Sequence, residues 1–230
     1  MITFLDNFST AARTALDALL CLAPPWSLSG PAALWWRTGE AHPVRQVDLV
    51  WHGRSHLGSL VQDVQWRLAA AGLESGVLLR GPRRVRLLVR DSESAAALQL
   101  TAEPKPPLES PGLAWFHSQL FCLASWTDIQ QTTLYSLHED VNPEDLWNLF
   151  LLSRRGVSST SGLREAQQRY PGFDLRRLAA GLARLEVQQG DVPEECLASF
   201  RRFQETLALR CLTLMDPDAP DDTEPGMGKP

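Results

Sequence analysis

The chain has 230 residues, 44% hydrophobic and 21% charged, enough apolar material for a real core, which excludes a wholly disordered chain. A formal net charge of −5 excludes a protein that holds nucleic acid by bulk positive charge, though it leaves room for a local arginine patch. Lysine occurs twice, at Lys105 and Lys229, so arginine carries nearly all the positive charge and few side chains can act as a catalytic amine.

Cys21, Cys122, Cys196 and Cys211 are widely spaced in apolar surroundings, with no pair two residues apart. They read as buried free thiols of a reducing cytosol, not as a zinc site. The first residues lack a basic start followed by a long apolar run, and no apolar run reaches about 18 residues. The expectation is a cytoplasmic chain with no signal peptide and no membrane partner.

In chain order, Phe4 to Leu22 places apolar residues at steps of three and four, as one helical face requires, and Pro24-Pro25 stops it. A small-residue turn, Ser29-Gly30-Pro31-Ala32, leads into a second short helix that Thr38-Gly39 ends. Val44 to Trp51 condenses into a strand. Ser59 to Ala71 is an amphipathic helix with Leu60, Val61, Val64, Trp66, Leu68 and Ala69 as its apolar positions. Val77–Arg80 and Val85–Val89 flank the turn Gly81-Pro82-Arg83 as a hairpin, and Ala95–Thr101 adds a further strand.

Glu103 to Gly112 holds four prolines and reads as a loop or boundary. Phe116–Leu123 fits either strand or helix. The rest reads as helix: Ser125–Leu137, then a helix capped by Asn142 with Pro143 in its first turn, then Gly162–Arg169, Asp174–Glu186 and Pro193–Met215. From Asp216 onward the sequence is acidic and proline-rich without apolar periodicity, which reads as a disordered tail. The order implies an α+β fold: a small mixed sheet with flanking helices over 1–112, a helical lobe over 113–215 and a tail over 216–230.

Three spaced segments resemble the AbiEii-like nucleotidyltransferase family, which includes toxins of abortive-infection toxin–antitoxin systems. Leu28-Ser29-Gly30-Pro31-Ala32-Ala33-Leu34 is similar to that family's glycine-rich turn and helix. Arg45-Gln46-Val47-Asp48-Leu49 is similar to its strand with two aspartates one residue apart. Ser125 to Leu137, followed by Glu144-Asp145-Leu146-Trp147-Asn148-Leu149, follows the rhythm of its two late helical motifs. The resemblance covers roughly residues 26 to 155 and implies a nucleotidyltransferase-type sheet followed by a helical lobe.

It also implies Mg²⁺-assisted transfer of a nucleotidyl group, with paired carboxylates holding the cation. Carried over residue by residue, Asp48 is the metal ligand and a catalytic residue, Asp145 the late acidic residue, and Ser29 and Gly30 the phosphate contacts. Gln46 stands where the first aspartate belongs, Thr133 where the lysine belongs and Asn148 where the second late aspartate belongs. The third sheet carboxylate would fall near Gln99 or Leu100. The expected site is therefore degenerate or weakly active. A nucleotide or RNA substrate and an antitoxin-like protein are the implied partners.

Other constellations read as structure. His42, His52 and His56 lie near glycines and are expected as surface loop histidines. The run Arg80, Arg83, Arg84, Arg86 and Arg90 fits either a solvated hairpin edge or a contact face for nucleic acid or a protein partner. The eight tryptophans are expected mainly in the core.

Overall fold

The structure, a computed structural model, describes residues 8–20, 26–39, 46–116, 119–188, 190 and 192–215. The chain divides into two compact units, Met1–Ile129 and Gln130–Pro230.

The first unit is built on a seven-stranded sheet. Its strands are β1 (Ser27–Ser29), β2 (Gln46–His52), β3 (Glu74–Arg80), β4 (Arg84–Arg90), β5 (Ala95–Glu103), β6 (Gly112–Phe116) and β7 (Gln119–Leu123), in the spatial order β3-β4-β5-β2-β1-β7-β6. The β2–β5 and β1–β7 pairs are parallel and the others antiparallel, so the sheet is mixed. Strand alternation sends Val47, Leu49, Val85, Leu87, Val89, Leu98 and Leu100 to one face, where all are buried. Helix α1 (Thr10–Leu20) packs on β5, β4 and β2 and on α3 (Leu60–Ala70). Its inward face is Ala11, Ala12, Ala15, Leu16 and Leu19, and the alanines let the helix lie close to the strands.

Helix α2 (Gly30–Thr38) follows β1 directly. Gly39, in the left-handed conformation at φ 67°, returns its N–H to the carbonyl of Trp35 and ends the helix. The Arg37 guanidinium donates to the carbonyl of Ala124 at 2.9 Å and lies over the Trp126 ring. That contact ties the end of α2 to the end of β7. Burial holds the Arg37 pKa below its ordinary value, with Glu109 opposing the shift.

Two differences from the sequence reading stand out in this unit. The division falls after Ile129 and not at the proline-rich segment, because Gly112–Phe116 and Gln119–Leu123 form a hairpin that extends the sheet. Trp66 is 71% exposed. The inward stripe of α3 is Leu60, Val61, Val64 and Leu68. Trp66 sits two residues from both Val64 and Leu68, about 200° round the helix. The expected helix from Phe4 to Leu22 runs from Thr10 to Leu20, with Phe8 and Ser9 outside it; residues 4–7 and 21–22, His42 and the acidic tail lie outside the described residues.

In the second unit, α4 (Trp126–Glu139, which starts in the first) leads to α5 (Pro143–Arg154), α6 (Ser159–Arg169), α7 (Leu175–Arg184) and α8 (Leu197–Thr213). The cap expected at Asn142 forms, and Asp174 caps α7 in the same way. The Asn142 side chain accepts from the Asp145 N–H, and the Asp174 side chain accepts from the N–H groups of Arg176 and Arg177. Trp147, Phe150, Phe200 and Phe203 form an aromatic cluster with centroids 5.1 to 5.7 Å apart, joining α5 to α8. Burial raises the Cys211 thiol to a pKa of about 12, as an inert core thiol should be. Cys122 and Cys196 are only half-buried, which departs from the fully buried reading.

His138 is buried and stacked on Phe173 at 4.9 Å. Its Nε2 accepts the N–H of Asp174 at 3.0 Å, so the proton of the neutral ring sits on Nδ1. Burial chiefly holds its pKa below the ordinary value; Arg177 adds to the shift, and Asp174 and Glu139 oppose it. The folded chain therefore binds fewer protons here than the unfolded chain. The stability from this group is complete above the unfolded pKa of about 6.5 and is lost as pH falls through the folded value. Urea unfolding at roughly pH 7.5 and pH 5.5 is expected to show lower stability at the acid end, and His138→Gln a flatter pH dependence. Equal slopes for the two proteins would refute this role.

Candidate active site

The site is one row of residues running across the sheet on the face opposite α1 and α3. The registers are explicit. Ser29 on β1 pairs with Asp48 on β2, Asp48 pairs with Gln99 on β5, and Gln99 pairs with Arg86 on β4. Paired residues project to the same face, so Ser29, Asp48, Gln99 and Arg86 span four strands, about 14 Å at ordinary strand spacing. Gln46, two residues before Asp48, shares that face.

Two side-chain hydrogen bonds tie neighbours in the row together, while the buried Nε of Arg86 has no hydrogen-bond partner. The Gln46 Nε2 donates to Asp48 Oδ1 at 2.7 Å. Arg86 Nη2 donates to Gln99 Oε1 at 3.0 Å. Asp48 and Gln99 are each 6% exposed, and Ser29 is fully buried.

The Ser29–Gly30 turn explains why the second carboxylate oxygen of Asp48 points where it does. Ser29 is extended, at φ −131° and ψ −171°, and Gly30 opens α2 at a positive φ of 60°. The Asp48 carboxylate lies against the bare Cα of Gly30, so closely that a Cβ there would overlap it. An anion at the start of a helix is stabilised by the unpaired N–H groups and the helix dipole. Here the protein's own Asp48 takes that place.

These donors do not fit Mg²⁺. The cation demands an octahedron of hard oxygens, typically from more than one carboxylate plus phosphates and water. The row offers one carboxylate, already bonded to an amide. Beside Asp48, Gln99 is a neutral amide, and it holds a guanidinium that brings positive charge to the place where a cation would need negative charge. Asp48 and Arg86 cancel, leaving the row neutral. No group of three or more His, Cys, Asp or Glu side chains able to hold a metal occurs among the described residues.

The sequence missed Glu103, a second buried carboxylate on this face, 7% exposed and paired in register with His52. It lies four residues beyond Gln99, about 13 Å along the strand, too far to share an ion with Asp48. Its Oε1 accepts the Lys105 N–H at 3.0 Å. His52 ends strand β2, not a loop as expected, and its Nδ1 lies 3.2 Å from the Lys105 carbonyl, whereas His56 is an exposed loop residue that contacts Ser55.

The basic run does not form one patch. Arg84 and Arg86 are half-buried and turn onto the Asp48 face, whereas Arg80, Arg83 and Arg90 are exposed. Asp145 belongs to the second unit. It is buried and accepts from Asn142 Nδ2 at 2.8 Å, so it completes the start of α5. Thr133 and Asn148, also in the second unit, are 3% and 4% exposed.

No family model and no curated protein matches the sequence. Solved structures do match. MenT4, a nucleotidyltransferase toxin of Mycobacterium tuberculosis, is 15% identical with a TM-score of 0.54, covering 90% of this chain and 84% of its own. The chain has a nucleotidyltransferase fold. A Helicobacter pylori protein described as a candidate nucleotidyltransferase is 16% identical with a TM-score of 0.50, over 88% of this chain and 92% of its own. The antibiotic-resistance factor ANT(2'')-Ia is 14% identical at the same TM-score, over 69% of this chain and 89% of its own. A toxin and a resistance factor share this nucleotidyltransferase fold, so the fold by itself names no substrate.

Proposed function

We propose that this is a nucleotidyltransferase-fold protein whose metal-dependent nucleotidyl-transfer site has degenerated, and which acts by binding. The observation that carries the reading is the neutral row Ser29–Asp48–Gln99–Arg86, where Gln46 and Gln99 occupy the positions of two acids. Each lost carboxylate removes a full charge that would offset the cation and the triphosphate. Asp48 then serves the fold, holding the β2 face against the start of α2. The toxin among the structural neighbours supports an antitoxin-like protein as the class of partner. Among the described residues no helix is long and apolar enough to cross a membrane.

A second contact is supported by the exposed arginines Arg80, Arg83 and Arg90, whose guanidinium groups suit phosphate or carboxylate. The test combines both ideas. The purified protein is incubated with Mg²⁺ or Mn²⁺, each labelled nucleoside triphosphate and an RNA pool. The expected result is no label transfer and no heat on titrating cation with nucleotide. Label transfer that disappears in Asp48→Ala would overturn the degenerate-site reading. RNA retention that falls with salt and is lost in Arg80→Ala/Arg83→Ala would assign the arginine face to nucleic acid.

A further inference from the structure

The two edges of the sheet are built differently. The β3 edge carries the usual protection against strand pairing: Glu74 and Arg80 at its ends and a register shift between Val77 and Leu79. The β6 edge carries none. Among the described residues its one strand neighbour in the sheet order is β7. Neither GLAWF nor QLFCL contains a charged residue or a proline. The β6–β7 register runs unbroken from Gly112–Leu123 to Phe116–Gln119.

One face of this hairpin is also apolar and uncovered. Leu113, Trp115 and Leu120 are 68%, 64% and 48% exposed. Trp115 pairs with Leu120, and Leu113 pairs with Cys122, so all four project together. The opposite face carries Phe116, Phe121 and Leu123, buried, with Trp36 against both phenylalanine rings. The exposed side chains are therefore not core residues, and their exposure is not needed to hold the hairpin.

We propose that β6 pairs antiparallel with β6 of a second copy of this chain, about a two-fold axis at Ala114. The sequence is self-complementary in that register. Leu113 lies opposite the partner's Trp115 on the outer face, and the partner's Leu113 lies opposite Trp115. Ala114, the smallest side chain of the strand interior, meets its own copy at the axis. A pairing of this kind is isologous and closes after two copies, and it joins two seven-stranded sheets into one. The three exposed side chains contribute on the order of 300 Å² of apolar surface per copy. With the paired backbone this is at the small end of specific interfaces, so the dimer has a Kd on the order of micromolar or weaker and dissociates on dilution below it.

Sedimentation equilibrium of the full chain over roughly 5 to 200 µM tests this. A monomer–dimer equilibrium is expected. Trp115→Lys and Leu113→Lys are expected to weaken association at least about tenfold while leaving the melting transition in place, since both positions are exposed. Leu78→Lys, on the protected edge, leaves it unchanged. Ala114→Cys gives a disulfide-linked dimer on mild oxidation beyond the wild-type background, because a residue on the axis faces itself within disulfide range. A monomer at every concentration overturns the proposal. So does a dimer that survives both lysine variants, or one that Leu78→Lys dissociates.

Discussion

Gly30→Ala is expected to be the most damaging single-methyl change in the first unit, costing on the order of 3 kcal/mol in urea unfolding. Two independent effects combine. The backbone at Gly30 has φ 60°, where an L-residue meets its own carbonyl. The added methyl would also occupy the space of the Asp48 carboxylate, which cannot retreat freely because Gln46 holds its other oxygen. The second effect can be isolated. Asp48→Ala removes the carboxylate, so Gly30→Ala should cost less in that background, with a coupling of about 1 kcal/mol or more. Additive costs would show that the contact between the turn and β2 is not what constrains the glycine. The measurement needs no activity, so it remains informative whether or not the chain is an enzyme.

The small-residue turn was legible in the sequence, and so was its link to the strand carrying Asp48. The resemblance implies Ser29 and Gly30 as phosphate contacts. In the fold the nearest anion to Gly30 is Asp48. The local signals came through because they act within a few residues: Gly39 ending α2, Asn142 capping α5, and the hairpin about Gly81-Pro82. What failed depends on partners far along the chain. Leu113 to Leu123 is apolar without clean alternation, and only its pairing beside β1 makes it part of the sheet. Whether Gln99 or Leu100 lies beside Asp48 was open in the sequence, and the register between β2 and β5 pairs Gln99 with it. Arg86 looked like one member of a surface run. Its pairing to Gln99 across β4 and β5 brings it onto the Asp48 face, and no spacing in the sequence could show that.

If lost charge is what disables the site, restoring charge should restore cation binding. Gln46→Asp/Gln99→Asp places two carboxylates beside Asp48, all on one sheet face. The double variant alone should remain a poor site, since Arg86 now bonds the side chain at position 99 and would pair with the new carboxylate. An opposite charge at hydrogen-bond distance competes directly with a cation. Adding Arg86→Gln removes that competitor. Titration with Mn²⁺ followed by calorimetry or electron paramagnetic resonance should show no binding by the wild type and weak binding by the double variant. Binding by the triple variant should be tighter by about tenfold, equivalent to roughly 1.4 kcal/mol. The ranking matters more than the affinities. Equal binding by the double and triple variants would mean Arg86 has no electrostatic hold on the row. Binding by the wild type, abolished by Asp48→Ala, would mean that the two glutamines never disabled it. Stability gives an independent control, because three acids packed at the start of α2 without cation repel one another. The triple variant should therefore unfold at lower urea than the wild type and recover on adding Mn²⁺, as ligand linkage requires.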